Sequence, residues 1–146
     1  MSTNKAGDDM HSNHVGEFLK DNGIKPSYQR IKIYEYLMGS MTHPTVDTIY
    51  NALCDQIPTL SKTTVYNTLK VFIDKGIAMA ITIDDNEVRY DTRTDVHGHF
   101  KCEKCNEIYD FKANIELEDE DVLRGFEITK QQLFFYGVCK HCSEAK

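Results

Sequence analysis

The sequence predicts an α+β protein made of two small domains. Three observations carry that prediction. Capped, helix-period runs fill the first half and end in a two-stranded turn pattern. Near residue 91 the character changes to short strand-like runs. Two C-x-x-C pairs, Cys102/Cys105 and Cys139/Cys142, then mark the second half. The chain has 146 residues, 40% apolar and 27% charged, which is globular composition. No apolar run nears the ~20 residues of a membrane span. Residues 1–13 are polar and lack the apolar core of a signal peptide. The expectation is a soluble cytoplasmic protein with no membrane partner.

The expected organisation is a disordered tail over 1–13, one domain over 14–90 and another over 91–146. The first helix runs from His14 to about Asp21, with Val15, Phe18 and Leu19 on one face and Gly23 past its end. Pro26-Ser27 opens a second helix. Tyr28, Ile31, Tyr34 and Leu37/Met38 share its buried face, and Gly39-Ser40 ends it. His43-Pro44 is a loop. Thr45 caps a third helix with Asp47 in its first turn and Val46, Ile49, Tyr50 and Leu53 inside. Cys54 reads as a plain core residue on that face.

Pro58 breaks the chain, and Ser61 caps a fourth helix to about Asp74 that buries Val65, Leu69 and Phe72. Gly76 ends it. Strands at Ile77–Ile83 and Glu87–Asp91 flank the turn Asp84-Asp85-Asn86, so they form a hairpin. Helices followed by a two-stranded hairpin spell a winged helix, a helix-turn-helix variant. Beyond a hinge at Asp91–Asp95, strands are expected at Gly98–Cys102 and Glu107–Phe111. A helix capped by Asn114 should run to about Arg124, followed by a strand over Phe126–Val138. The acidic Glu116–Asp121 stretch reads as its solvated face.

Net charge is −6, which argues against a protein that coats nucleic acid nonspecifically but allows a local basic patch. Residues 1–90 hold nine Lys/Arg against eleven Asp/Glu, and residues 91–146 hold eight against twelve. A DNA face therefore belongs in the first half. In a helix-turn-helix the second helix of the pair, here the fourth of the chain, enters the major groove. Lys62, Thr63, Thr64, Tyr66 and Asn67 lie on its exposed face or N-terminal half and can meet base edges or phosphates. Lys25, Arg30 and Lys70 are candidate phosphate contacts, and Arg89 on the wing could reach the minor groove. The plainer reading of each is a solvated surface residue, most of all for Lys25 and Lys70.

Five cysteines in a chain without a secretory signal favour metal over disulfides. Each C-x-x-C puts two sulfurs on one turn, and two such turns complete a closed, tetrahedral four-thiolate zinc site. Cys139 follows Cys105 by 34 residues, so the ion would staple the C-terminal tail to the domain's first hairpin. A redox dithiol is the rival, but it needs one C-x-x-C opening a helix, and each pair here sits in a knuckle. His97 and His99 share a face of a strand. Asp91 precedes them by six residues, and Asp110 lies on the next strand. Such nitrogen and oxygen donors suit Fe(II) or Mn(II), and zinc also accepts them. By spacing alone they can equally be surface residues beside the knuckle, and His43 alone reads as a loop histidine. His11, His14 and His141 read as non-ligands.

At these residues the sequence resembles the ferric uptake regulator family of bacterial metal-dependent repressors. The resemblance runs from about Val15 to Cys142. It rests on Gln29-Arg30, His43-Pro44-Thr45, Thr64-Val65-Tyr66-Asn67-Thr68-Leu69, His97-Gly98-His99, Cys102-x-x-Cys105 and Tyr136-Gly137-Val138-Cys139-x-x-Cys142. It implies a homodimer on double-stranded operator DNA, with a winged-helix domain and a C-terminal dimerisation domain holding a four-cysteine structural zinc. It also implies a regulatory Fe(II) or Mn(II) site built from His43, Asp91, His97, His99 and Asp110.

Two details point to the family's peroxide-responsive branch. Asp110 stands where iron-uptake regulators usually carry Glu. Val96, Gly98 and Gln131/Gln132 stand where many iron regulators place a further metal site. Gly98 and the glutamines also depart from the usual peroxide sensor, so a plain iron or manganese uptake regulator remains the alternative, with a zinc regulator behind it. A zinc-ribbon protein-interaction module fits the helices and hairpin before the knuckles poorly. No nucleophile constellation supports an enzyme.

Overall fold

The computed structural model describes residues 14–40, 42–84, 87–93, 97–113, 121–129 and 131–144, with His97 described for its backbone alone. The tail and most of the acidic helix expected from Asn114 lie outside the described residues. The chain divides into two compact units after Thr94. The boundary expected before Asp91 lies four residues later, because Asp91 completes a strand of the first unit.

The first unit holds α1 (14–21), α2 (Tyr28–Gly39), α3 (Val46–Leu53), α4 (Lys62–Asp74), β1 (Met79–Ile81) and β2 (Arg89–Asp91). Three hydroxyls start three helices. Ser27, Thr45 and Ser61 side chains accept from the backbone N–H of Arg30, Thr48 and Thr64 at 3.2, 3.1 and 3.0 Å, each satisfying one orphan donor of a first turn. α1 and α4 end alike. Gly23 and Gly76 take positive φ of 77° and 75°, and the N–H groups of Ile24 and Ile77 reach back to the carbonyls of Leu19 and Phe72 at 2.9 and 3.0 Å. Both are Schellman caps, and each turns the next residue, Ile24 or Ile77, into the core.

That core is built on Leu19, Ile33, Leu37, Ile49, Leu69 and Phe72. Tyr34 packs edge-on against Phe72 at 5.3 Å between ring centroids. The buried stripe of α2 is rotated from the expected one. Ile33, Tyr34 and Leu37 are buried, while Tyr28 and Met38 are exposed, as is Phe18 on α1. Cys54 is a half-buried C-cap of α3 rather than a core residue, its thiol 3.6 Å from the Asn51 carbonyl. The hairpin strands are also shorter than expected. Among the described residues they pair over Met79↔Asp91, Ala80↔Tyr90 and Ile81↔Arg89, a two-stranded ribbon, and so short a ladder suits a hairpin with no wider sheet to extend it.

The second unit is a three-stranded sheet of order β4-β3-β5, from β3 (His97–Cys102), β4 (Ile108–Lys112) and β5 (Leu133–Gly137). A 3-10 turn at Asp121–Leu123 precedes β5, and a short helix α5 (Lys140–Glu144) follows it. β3 runs antiparallel to β4 and parallel to β5. The strand expected over Phe126–Val138 shrinks to its last part. Among the described residues β5 pairs with β3 alone, and the ladder begins where Leu133 faces Gly98 near the start of β3.

The caps give a matched pair of expectations. A Cβ at Gly76 meets nothing within 4 Å, so Gly76→Ala should cost only its left-handed backbone, about 1–2 kcal/mol. Gly39 also meets nothing but keeps an ordinary helical φ, so Gly39→Ala should be neutral or stabilising by up to ~1 kcal/mol. Thermal unfolding of both variants checks the contrast.

Candidate metal centres and nucleic-acid face

Parallel pairing closes the long interval between the two cysteine pairs. Cys102 ends β3 opposite Gly137 at the end of β5, and the Glu103 N–H donates to the Gly137 carbonyl at 2.7 Å. Cys139, two residues further on, is thereby delivered beside Cys102. The four sulfurs all lie within 4.8 Å of one another. An ion held at ~2.3 Å from each tetrahedral sulfur sets neighbours ~3.8 Å apart, and Cys105 Sγ and Cys139 Sγ are 3.8 Å apart. All five cysteines are free thiols.

Backbone N–H groups already point at these sulfurs. Those of Cys105 and Cys139 reach Cys102 Sγ at 3.5 and 3.3 Å, and that of Cys142 reaches Cys139 Sγ at 3.4 Å. The donors pull Cys102 down to about 6, and the N–H of Cys142 lowers Cys139. Cys142 is pushed up to about 12 because its thiol donates to Cys139, with burial adding to the rise. Without a cation the set thus mixes thiolates and thiols, and a dication that replaces the remaining protons suits it. Donor chemistry, number and spacing fit a closed zinc site. Sequence reasoning missed one supporting group. The Tyr109 hydroxyl donates to Cys139 and is itself raised to about 12, first by that bond and then by burial. Tyr109 lies on β4 beside the knuckle, which is the only cue the sequence offered.

The nitrogen and oxygen donors form one pair in each unit. In the first, His43 and Asp91 approach with Nε2 and Oδ2 3.5 Å apart. His43 is buried and holds a left-handed φ of 55° just before Pro44, a conformation that persists in a non-glycine residue only when its surroundings hold it. In the second, register sets the pair. His99 lies directly opposite Asp110 across β3 and β4, so both side chains share a face, and Nε2 stands 3.4 Å from Oδ1. Two donors ~2.1 Å from one ion and 90–109° apart lie ~3.0–3.4 Å from each other. Both separations come close to that. The backbone of His97 lies two residues before His99 on β3, and its side chain is outside the described set.

Gly98 has a steric reason. A Cβ there would run into the Phe111 ring, which stacks on Phe135 at 5.1 Å. An aromatic side chain therefore occupies the space a ligand at position 98 would need.

On the first unit, Lys62, Thr63, Tyr66, Asn67 and Lys70 are exposed along α4. Thr64 is half-buried, and its hydroxyl pairs with the Ser61 cap at 2.9 Å. Lys62 meets Asp47 at 3.1 Å, an exposed pair of small energetic weight that a phosphate could displace. Gln29, Arg30, Thr64 and Asn67 line one cleft between the start of α2 and α4, where Arg30 is steadied by the Lys25 carbonyl at 3.0 Å. Lys25 is exposed. Arg89, expected to reach the minor groove, is instead turned inward. Its Nε donates to Asp84 Oδ2 at 2.7 Å, and Nη1 lies 3.4 Å from the carbonyls of both Thr42 and His43. The missed signal is an acid and a base on either side of the hairpin turn.

Fold and donors together define a winged-helix protein with an appended sheet domain whose four cysteines fit zinc, and with histidine–carboxylate pairs that could hold a second ion. A profile of the ferric uptake regulator family matches residues 21–136. The chain is 41% identical over 131 residues to the peroxide operon regulator of Bacillus subtilis, covering 88% of this chain and 90% of that protein. Among solved structures it is similar to the ferric uptake regulator of Vibrio cholerae, at 27% identity and TM-score 0.67, covering 85% of this chain and 98% of that one. It is also similar to PerR of Streptococcus pyogenes, whose structure addresses peroxide sensing and gene regulation, at 31% identity and TM-score 0.52, covering 90% and 92%. The chain belongs to the ferric uptake regulator family. Among the described residues no helix is long and apolar enough to cross a membrane.

Zinc should be structural. The purified protein should hold about one zinc per chain, and Cys102→Ser should lose it and unfold the second unit. Metal analysis with circular dichroism checks this. Retained zinc with a native spectrum would contradict the four-thiolate assignment.

Proposed function

We propose that the protein is a cytoplasmic, metal-dependent transcriptional repressor of the peroxide-responsive type, binding double-stranded operator DNA as a homodimer. The observation that carries this is the donor arrangement. Each unit presents one histidine–carboxylate pair, all nitrogen and oxygen, and neither pair alone fills the shell of Fe(II) or Mn(II). His43, Asp91, His97, His99 and Asp110 together supply five donors. One ion taking donors from both units fixes the angle between them.

That angle matters for DNA. Half-sites of a helix-turn-helix dimer lie about 34–36 Å apart or at multiples of it, so both recognition helices dock only at the right spacing. A ligand that binds one arrangement better shifts the population toward it. Tyr66 and Asn67 on α4 are the candidates for base reading, and Lys25, Arg30, Lys62 and Lys70 for phosphate. The exposed Phe135, Tyr136 and Val138 on and beyond β5 support an apolar contact between two copies.

An Fe(II) held by these donors would supply the chemistry that cleaves a peroxide O–O bond, one oxygen passing to an imidazole carbon, which is oxidised, and the other leaving as water. The chain's own part is to hold imidazole carbons beside that ion, at His43 and His97, and to keep its thiolates under zinc. Gain of one oxygen on an imidazole weakens its donation and loosens the DNA-binding arrangement. Asp110 in place of the longer Glu and the Phe111 ring over Gly98 both favour this reading over an iron-uptake regulator with a further site.

His43→Ala should fold and keep zinc yet need at least 10-fold more Mn(II) for DNA binding, measured by fluorescence anisotropy. An unchanged Mn(II) requirement would remove His43 from the switch. Mild peroxide should add one oxygen to the His43 or His97 peptide in the Fe(II) form and leave the Mn(II) form intact, read by mass spectrometry. DNA release that instead follows cysteine oxidation equally in both forms would exclude a histidine-oxidation sensor and put the iron-uptake reading first.

A further inference from the structure

We propose that Arg89 is a positioning residue for the regulatory ligand His43, strapping the loop that carries it to the wing strand, and that it does not contact DNA. The inference rests on the metal-dependent reading above. Three successive residues of β2 grip three successive residues of the loop. The Arg89 guanidinium lies 3.4 Å from the carbonyls of Thr42 and His43. The Tyr90 N–H donates to the Pro44 carbonyl at 3.0 Å. The Asp91 carboxylate faces the His43 imidazole at 3.5 Å.

The loop needs such a grip. His43 sits at φ 55°, a conformation costing about 1–3 kcal/mol that reverts unless its neighbours determine it. A carbonyl on either side of that residue's N–H bonds to the same guanidinium, so the fork fixes the peptide that sets where the imidazole points. Arginine suits the task. Its Nε takes Asp84 at 2.7 Å while Nη1 spans the two carbonyls, a planar division of donors that an ammonium cannot copy. Asp84 also neutralises the charge, so that the guanidinium does not oppose a dication at His43 and Asp91. Both partners are largely buried, at 21% and 11% side-chain exposure. Reaching a minor groove would require breaking a short, shielded ion pair.

The test compares wild type, Arg89→Met and Arg89→Lys, all zinc-loaded. Three quantities are read: the melting temperature, the Mn(II) affinity by calorimetry, and Tyr90 amide exchange without Mn(II). Loss of a group that orients a metal ligand typically costs 10–100-fold in affinity. Arg89→Met should weaken Mn(II) by about that factor and speed Tyr90 exchange without Mn(II). Arg89→Lys keeps the Asp84 pair, so it should hold the wild-type melting temperature and still bind Mn(II) more weakly. At saturating Mn(II), both variants should bind DNA with wild-type affinity and salt dependence.

Wild-type Mn(II) affinity in Arg89→Met, or its full recovery in Arg89→Lys, would overturn the proposal. DNA affinity lost at saturating Mn(II), with a salt slope reduced by about 1, would mark a phosphate contact and overturn it too. If wild type itself takes up no Mn(II), the regulatory reading fails first, and the failure is recognisable as such.

Discussion

Four sulfurs at the ends of β3 and β5 carry the second unit. Its sheet has three short strands, and Phe135, Tyr136 and Val138 are exposed to solvent. So small an apolar interior does not offset the entropy of ordering some fifty residues. Zinc closes the gap, because a structural site adds on the order of 10 kcal/mol only when its ligands converge. Convergence in turn needs β5 in parallel register beside β3, which delivers Cys139 to Cys102. On its other edge β3 pairs antiparallel with β4, and that register sets His99 opposite Asp110. The cysteine cluster and the His99–Asp110 pair thus share one strand.

The first unit reaches its donors by another route. Its core, three hydroxyl caps and two Schellman turns need no metal. They leave the His43 loop between α2 and α3 to be held by β2, whose residues grip it one after another. Asp91 ends that strand and completes the pair. A strand thus presents one donor pair and a strapped loop the other, and each pair keeps its donors roughly 3.5 Å apart. Separating two metals by chemistry follows. Thiolates hold zinc in a closed, redox-quiet site, while imidazole and carboxylate leave open positions for a reactive ion.

Much of this was legible in the residues. Thr45 and Ser61 cap the helices expected of them, Ser27 caps the helix that Pro26-Ser27 opens, and both C-x-x-C pairs converge. The misreadings share a physical cause. Periodicity locates a helix but fixes its buried stripe only to within a residue or two, so Tyr28 and Met38 were placed inside when Ile33 is. Strand propensity overran the available partners at Phe126–Val138 and in the wing. Sequence spacing does not show a side chain turning back on its own hairpin, so from sequence alone Arg89 is a wing residue able to reach the minor groove. His43 carried no signal of its own. Only the resemblance singled it out, since a loop histidine and a ligand look alike until the backbone at φ 55° and the facing Asp91 are seen.

One measurement bears most directly on the claim that a second metal, distinct from zinc, governs DNA binding. Protein purified without oxygen and stripped of its labile metal would be titrated with Mn(II) at constant zinc, against a duplex selected from a random pool by the Mn(II)-loaded protein. Fluorescence anisotropy would follow binding, and metal analysis would follow both ions. The expected result is tight binding that appears with the uptake of about one Mn(II) per chain while zinc stays constant. Equal affinity with no Mn(II) bound would contradict it.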